Sequence, residues 1–164
     1  MSNKTNLQKA TFGAGCFWHV QQAFDQFKGV KATTVGFMGG HVKDPSYKQV
    51  STGQTGHAEV CQVIYDPNKI SYEQLLEKFW EIHDPTQLNQ QGLDIGSQYR
   101  SVIFYHNQKQ KMLAKQSKKN LAQSDQYKKE IVTEIKPVAE FYPAEEYHQD
   151  YYKKHKLKAK LCGF

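Results

Sequence analysis

Hydrophobic and polar positions along this chain fall into short blocks whose period switches between two residues and about 3.6 residues. Blocks with a period of two are rich in β-branched and aromatic residues, which is typical of strands. The predicted strands are Gln8–Phe12, Val30–Phe37, Ala58–Tyr65, Tyr99–His106 and Ile131–Ile135. Helix-like blocks alternate with these strands, so the pattern predicts one α/β or α+β domain. It allows either a parallel or a mixed sheet.

Capping and turn residues place four helices between and after these strands. The first helix follows a turn at 13–15 and carries one apolar stripe, formed by Phe17, Val20, Phe24 and Phe27. The later helices are predicted to begin at the capping box of Ser71 and Gln74, after the cap Asn107 and at Pro143. The remaining stretches 39–57 and 84–98 are predicted to be loops.

Length and composition fit a single folded domain. The 164 residues are 38% hydrophobic and 13% aromatic, which is enough apolar surface for a sizeable core. No run reaches the roughly 18 apolar residues of a membrane span, and Met1–Ala10 has no apolar signal core. We therefore expect one cytoplasmic, soluble domain over 1–164, with a Lys-rich tail from about residue 150.

The net charge of +6 is unevenly distributed. From Tyr105 onward there are 13 Lys against seven acidic residues, whereas the preceding part is balanced. Arg100 is the only arginine, and arginine is the residue that makes bidentate contacts with phosphates and guanine. Nucleic-acid binding is therefore disfavoured, and Lys-rich solvated helix faces account for the charge.

Cys16 is the first residue with candidate chemistry. The first N–H groups of a helix stabilise a thiolate, and we expect Cys16 to lie where the first helix begins, after Gly13 and Gly15. Trp18 lies off the apolar stripe of this helix, which indicates an apolar substrate pocket. Trp18 also occupies the third glycine position of a dinucleotide fingerprint, and metal-ligand spacings are absent. Neither a nucleotide cofactor nor a metal is expected.

Several longer strings occur in a fixed order: Gly15-Cys16-Phe17-Trp18, Gly56-His57-Ala58-Glu59, His83-Asp84-Pro85-Thr86-Gln87, Gly92 to Ser101, and Phe141 to Tyr151. Together they resemble the type A peptide methionine sulfoxide reductases, and the resemblance covers most of the chain. It implies a single-domain α+β fold in which a mixed sheet is flanked by helices as a two-layer sandwich. It also implies thiol-dependent reduction of methionine S-sulfoxide, free or in oxidised proteins, with no cofactor.

The resemblance assigns roles to the residues that match the family's motifs. Cys16 matches the nucleophile that attacks the sulfoxide sulfur and becomes a sulfenic acid, and Glu59 matches the acid that protonates the oxygen. Tyr47 and Tyr99 match tyrosines that hydrogen-bond this oxygen, and Asp94 matches an acidic residue that orders the site. A carboxyl group near an aromatic pocket has a raised pKa, which suits Glu59 to proton donation.

Two further matches concern the substrate and the regeneration of the thiol. Phe17 and Trp18 match the cage around the substrate's methyl group. A second cysteine is expected to resolve the sulfenic acid as a disulfide. Cys162 is favoured because it lies in a Lys-rich tail followed by a glycine, whereas Cys61 lies within a predicted strand. The resemblance implies that thioredoxin or a similar dithiol protein then reduces the disulfide.

The chain also departs from the family pattern. His19 stands where a glycine is commoner, Gln21 where a glutamate is usual, and Leu93 where an asparagine often precedes the aspartate. Leu93 leaves the hydrogen bonding around Asp94 open. Ser51 replaces a cysteine found in some relatives, so this position has no resolving thiol.

Two other function classes remain open from the residues. In a cysteine hydrolase or acyl transferase, Cys16 would pair with His57 or His148 as a base and form a thioester. In a non-enzymatic interaction module, a Tyr-rich helix over Tyr147–Tyr152 would serve as a docking face. Consumption of a dithiol with a methionine sulfoxide substrate distinguishes the reductase from both.

Overall fold

The computed structural model describes residues 6–155. Within this range eight strands are present, and six of them form the main sheet. The strands are β1 (Gln8–Ala14), β2 (Val30–Met38), β3 (Ala58–Tyr65), β4 (Gln90–Gln91), β5 (Asp94–Ile95), β6 (Ser101–Tyr105), β7 (Glu134–Pro137) and β8 (Tyr142–Pro143). The helices are α1 (Phe17–Asp25), α2 (Tyr47–Val50), α3 (Tyr72–Glu81), α4 (Gln108–Gln123) and α5 (Tyr151–Lys154). No helix within this range is long and apolar enough to cross a membrane.

The main sheet has the strand order β7-β6-β1-β3-β2-β8 and is mixed. Neighbouring strands are antiparallel except β6 and β7, which run parallel and are joined by the crossover helix α4. A separate hairpin consists of β4 and β5. The mixed sheet flanked by helices that the resemblance implies is therefore confirmed, while the number of layers stays a prediction.

Alternation along the strands separates the core into two faces. Phe12 of β1 and Cys61 of β3 pair across the sheet and face the larger cluster, which α1 and α3 cover with aromatic and aliphatic side chains. A smaller cluster around Val60 and Val102 lies on the opposite face. Trp80 of α3 is 7% exposed, and its Nε1–H donates to Ser117 Oγ of α4 at 2.7 Å, which joins the two helices.

Three strands differ in their ends from the prediction. β1 continues through Gly13 to Ala14, because Gly13 pairs with Val102 and is not a turn. A Cβ on Gly13 would lie 2.8 Å from Val102 Cγ1, so this glycine permits close packing inside the sheet. β6 begins at Ser101, after a 3₁₀ turn at Ser97–Tyr99, and β7 begins at Glu134 rather than Ile131.

The helix predictions are partly confirmed. Asn107 caps α4, and Ser71 caps α3 through the predicted capping box. The helix predicted to begin at Pro143 is wrong: Pro143 pairs with Gly36 in an edge strand, where the missing proline N–H costs no ladder bond. The predicted loop 39–57 contains α2, which has its own capping box beginning at Ser46.

Candidate active site

Cys16 lies at the N-cap of α1, directly after the central strand β1. The chain turns there at Gly15, whose φ of +89° is favourable only for glycine. A Cβ on Gly15 would also lie 2.9 Å from the Cβ of Gln91, which belongs to the β4–β5 hairpin. The expected position of Cys16 at the start of the helix is therefore confirmed, and the turn brings the hairpin close to the thiol.

Glu59 of β3 is 2% exposed and lies against the start of α1. Its Oε1 accepts a hydrogen bond from the Phe17 backbone N–H at 3.2 Å, while its buried Oε2 has no hydrogen-bond partner within residues 6–155. Burial, with a smaller contribution from the charge of Asp94, raises the pKa of Glu59 to about 8 although the Phe17 N–H opposes the shift. The expectation of a raised pKa is confirmed, so Glu59 can hold a proton at neutral pH.

The environment of Cys16 corrects one expectation. Hydrogen bonds from the backbone N–H groups of Trp18 and His19 lower the pKa of the Cys16 thiol, as a helix start predicts. Burial and the charge of Glu59 outweigh these hydrogen bonds, and the pKa of Cys16 is raised well above its ordinary value. The thiol is therefore protonated in the free protein, and protonation of Glu59 removes one of the charges that oppose the thiolate.

Tyr47, Tyr99 and Asp94 share the electrostatic environment of Cys16 and Glu59. Burial and then the charge of Glu59 raise the pKa of Tyr47 to about 12, and the same causes raise the pKa of Tyr99. The charges of Cys16 and Asp94 contribute to both shifts. Both phenols consequently stay protonated and can donate hydrogen bonds. The structure brings these five predicted residues together.

Phe17 and Trp18 form part of an aromatic wall beside Cys16. Phe17 packs against Trp18 with ring centroids 6.5 Å apart, and Trp18 stacks on Tyr151 of α5 at 3.8 Å. The Trp18 Nε1–H donates to His148 Nδ1 at 3.0 Å, and the His148 ring lies 4.2 Å from the Tyr47 ring. Sequence reasoning did not assign His148 to this wall, although the motif string that contains it was the available signal.

The β4–β5 hairpin holds Asp94 through hydrogen bonds that sequence reasoning missed. The Gln91 side chain accepts from the Asp84 N–H at 3.0 Å and donates to the Asp84 carbonyl at 2.9 Å. The Gly92 N–H donates to Gln87 Oε1 at 2.9 Å. Leu93 is fully exposed, so the departure at this position removes no internal contact. The predicted loop 84–98 therefore contains an ordered support for Asp94.

His19 and Gln21, the other two departures from the family pattern, each form hydrogen bonds between neighbouring elements. His19 Nε2 lies 3.2 Å from the Ile82 carbonyl, so the imidazole links α1 to the end of α3. The Gln21 amide donates to Thr33 Oγ1 at 3.1 Å, and its carbonyl accepts from the Asp150 N–H at 2.9 Å. Gln21 therefore joins α1 both to β2 and to the segment before α5.

Of the two candidate resolving thiols, the structure describes Cys61 only. Cys61 is fully buried in β3 between Phe12 and Val35 of the neighbouring strands, and burial raises its pKa. A thiol held within the core has little freedom to approach Cys16 in disulfide geometry. Cys162 lies outside the described residues.

The histidine bases of the hydrolase hypothesis are engaged elsewhere. His57 Nδ1 accepts from the Gly40 N–H at 3.0 Å, and Nε2 donates to the Val42 carbonyl at 2.7 Å, which leaves this ring no free lone pair. His148 Nδ1 is occupied by Trp18, and burial lowers the pKa of His148. The neutral ring therefore carries its proton on Nε2 and has no lone pair free for a thiol.

The Tyr-rich docking helix of the third hypothesis is not one helix. A 3₁₀ turn at Glu146–His148 is separated from α5 by Asp150, whose φ is +54°. Tyr152 is 4% exposed and belongs to the interior, whereas Tyr147 is 57% exposed. Over the part of the chain that the structure describes, no group of three or more His, Cys, Asp or Glu side chains could hold a metal ion.

Comparisons with known proteins agree with this geometry. The reduced form of Mxr1 from Saccharomyces cerevisiae superposes with a TM-score of 0.87 at 35% identity, covering 95% of this chain and 90% of that one. A structure of Mxr1 in complex with Trx2 aligns with a TM-score of 0.63 at 23% identity, covering 92% and 88%, and this match shows the fold alone.

Sequence comparison gives the family directly. The peptide methionine sulfoxide reductase MsrA of Methanosarcina acetivorans is 59% identical over 90% of this chain and 79% of its own length. MsrA of Methanothermobacter thermautotrophicus is 55% identical over 92% and 89%. The family model described as peptide methionine sulfoxide reductase matches residues 8–163. Because this match spans nearly the whole chain, the protein belongs to the peptide methionine sulfoxide reductase family.

Proposed function

We propose that this protein reduces the S epimer of methionine sulfoxide, free or within oxidised proteins, with Cys16 as its nucleophile. One observation carries the proposal: the Cys16 thiol at the start of α1 shares a buried site with Glu59, whose pKa is raised to about 8. A carboxylic acid that is protonated at neutral pH and adjacent to a thiol suits a reaction in which an oxygen atom must be protonated as it leaves sulfur.

The first step transfers oxygen from the substrate to the enzyme. The Cys16 sulfur attacks the sulfoxide sulfur while Glu59 donates its proton to the oxygen, with Tyr47 and Tyr99 as hydrogen-bond donors to it. The oxygen passes to Cys16, which becomes a sulfenic acid, and the sulfoxide becomes a thioether; the thiol proton restores the Glu59 carboxylic acid. Cys16 is thus oxidised by two electrons and methionine sulfoxide is reduced by two. Phe17 and Trp18 supply the apolar wall for the substrate's methyl group.

The second stage regenerates the thiol. Cys162 attacks the Cys16 sulfenic acid, which forms a disulfide and releases water. The buried position of Cys61 in β3 supports Cys162 as the resolving residue. A thioredoxin-like dithiol protein then reduces the disulfide by thiol–disulfide exchange, which restores both thiols. The requirement for a dithiol supply favours a cytoplasmic location.

The test combines activity with disulfide mapping. We expect Cys16→Ser to abolish reduction of methionine S-sulfoxide with dithiothreitol, because the hydroxyl group of serine cannot accept the sulfoxide oxygen as a sulfenic acid does. Cys162→Ser is expected to keep the first turnover, seen as one equivalent of methionine, and to lose thioredoxin-supported turnover. Cys61→Ser is the matched control and should retain both activities.

Mass spectrometry after one turnover of the unaltered protein identifies the linkage. A disulfide between Cys16 and Cys162 is the expected product. A Cys16–Cys61 disulfide would contradict the assignment of Cys162, and full activity in Cys16→Ser would contradict the proposed function itself. Hydrolysis of a thioester without consumption of reductant would support the hydrolase hypothesis instead.

A further inference from the structure

A basic groove lies between α4 and the segment 130–136 that leads into β7. Its volume is about 670 Å³. Four ammonium groups surround it, from Lys115, Lys118, Lys119 and Lys136, and its apolar lining includes Ile131. The groove lies outside the site described above, and nothing in the proposed reaction uses it.

The positive charge of this groove has little compensation within the described chain. Helix α4 carries five Lys and no acidic residue in 16 positions, and Lys115 and Lys119 repel each other one helical turn apart. None of the four groove lysines forms an ion pair within residues 6–155. Of the two acidic groups that line the groove, Glu134 is engaged by Arg100 at 3.1 Å, which leaves Glu130. The groove therefore complements a negatively charged ligand.

The wall of the groove is connected to the strand that positions Cys16. Thr133 Oγ1 lies 2.7 Å from Ser101 Oγ, and Ser101 pairs with Ala14, two residues before Cys16. Thr133 and Ala14 are thus two strand spacings apart, or about 10 Å. An extended polypeptide covers this distance in about three to five residues.

We infer that the groove binds an acidic segment of the protein substrate, a few residues from the oxidised methionine that occupies the Cys16 site. The inference rests on the proposed function and adds a substrate class to it, namely methionine sulfoxides with Asp or Glu nearby in the sequence. Extended backbone fits the open groove, and the half-buried Val132 and Ile135 in its lining contribute apolar contact. The ammonium groups of Lys115, Lys119 and Lys136 attract the carboxylates. Arginine-dependent phosphate recognition is absent from the groove lining.

The experiment compares two peptides that each contain one methionine S-sulfoxide. One has a block of Asp about three to five positions from the sulfoxide, and the other has Ser there. With dithiothreitol as reductant and at about 0.1 M salt, we expect a lower KM for the acidic peptide than for the Ser peptide. The double variant Lys115→Glu and Lys119→Glu should raise this KM by about five- to tenfold, because two attractive pairs become repulsive. Its kcat, and its activity on the Ser peptide and on free methionine sulfoxide, should stay unchanged.

The control variant combines Lys28→Glu and Lys31→Glu, which make the same change in net charge. Both lysines are exposed at the start of β2, and neither lines the groove. This variant should change the KM for the acidic peptide by less than about twofold at 0.1 M salt, where charges beyond about 10 Å are screened. An equal loss in both double variants, or equal KM values for the two peptides, would overturn the inference. A loss confined to thioredoxin-supported turnover would assign the groove to the reductant and also overturn it. Failure of the unaltered protein to reduce free methionine sulfoxide would instead overturn the proposed function.

Discussion

At the scale of single residues, Cys16 and Glu59 control each other's protonation. Burial and then the charge of the ionised carboxylate raise the pKa of the thiol, and burial keeps the carboxyl group protonated until the pH reaches about 8. The Phe17 N–H donates to Oε1 and partly offsets the effect of burial, while Oε2 has no hydrogen-bond partner within residues 6–155. The acid is therefore protonated before substrate binds, whereas the thiolate is opposed mainly by burial and, once Glu59 ionises, also by its negative charge.

The raised pKa of Glu59 makes stability depend on pH. Between its ordinary value near 4.5 and its folded value of about 8, the unfolded chain releases a proton that the folded protein retains. The folded state loses stability as pH rises through this window, at about 1.4 kcal/mol per pH unit from this residue. We expect Glu59→Gln to resemble the unaltered protein at pH 4.5 and to be more stable at pH 8.5, as measured by urea unfolding at both values.

The matched control is Glu77→Gln, because Glu77 is exposed on α3 and its side chain does not contact the site. It should shift stability equally at both pH values. A stability difference for Glu59→Gln that does not grow with pH would show that the buried carboxyl group is ionised in the folded protein.

At the scale of elements, the β4–β5 hairpin is a surface feature held almost entirely by polar contacts. Gln91 bonds both backbone groups of Asp84, and Gln87 bonds the Gly92 N–H at the turn. The same Gln91 side chain packs against Gly15, directly before the nucleophile. The hairpin therefore fixes the position of Asp94 relative to Cys16.

Replacement of Gln91 by the similarly sized Leu should loosen this support. It leaves the Asp84 N–H and carbonyl without their partner, which costs about 1–3 kcal/mol of stability. Misplacement of Asp94 should lower kcat/KM for free methionine sulfoxide by about tenfold. Leu93→Asn is the control on the same hairpin, and it should retain full activity because the Leu93 side chain is wholly exposed. Equal activities of the two variants would remove the hairpin from the mechanism.

Local sequence signals predicted the elements whose stability is local. The capping box at Ser71 and the cap at Asn107 are confirmed because each needs only the next three residues. The prediction of a helix at Pro143 was wrong because the conformation there depends on a distant strand. Pro143 pairs with Gly36, more than a hundred residues away, and the sequence next to Pro143 does not indicate this pairing. The hairpin was missed because its strands are two residues long, too short for a period to be detected.

In the candidate site, too, features set by local sequence were predicted and features set by distant contacts were not. Residues and motif order indicated Cys16 and Glu59, but the pKa of the thiol depends on burial and on a charge from another strand, which helix position alone does not reveal. The sequence suggested His148 as a base but not as part of the aromatic wall, because its contact with Trp18 joins residues 130 positions apart. Sequence therefore predicted the chemical groups, while their protonation and supports required the fold.

At the scale of the whole molecule, the single arginine joins three parts of the chain. Arg100 donates to the carbonyls of Ser97 at 2.9 Å and Gly56 at 3.0 Å, and it pairs with Glu134 of β7. These contacts connect the turn that carries Tyr99, the loop that precedes β3 and the edge of the sheet. The planar guanidinium group donates to both carbonyls and to the Glu134 carboxylate at the same time, which the single ammonium group of lysine cannot do in this geometry.

Arg100→Met should therefore destabilise the fold by about 2–4 kcal/mol, since two carbonyls lose their donors and Glu134 loses its cation. Lys154→Met is the comparison, because its pairing with Glu146 at 3.9 Å is exposed and is expected to contribute less than about 1 kcal/mol. Urea unfolding of both variants at pH 7 measures the difference. Similar stabilities would mean that the guanidinium contacts contribute little.

The two indole rings of the protein have different surroundings, and this gives the molecule an internal optical reporter. Trp80 is fixed between α3 and α4, away from any reacting group, while Trp18 stacks on Tyr151 beside the nucleophile. Light emission from Trp18 will respond to whatever occupies the adjacent space, whereas emission from Trp80 will follow the integrity of the helices. A chain in which Phe replaces Trp80 would thus allow each chemical stage to be followed in real time by fluorescence, without an added dye.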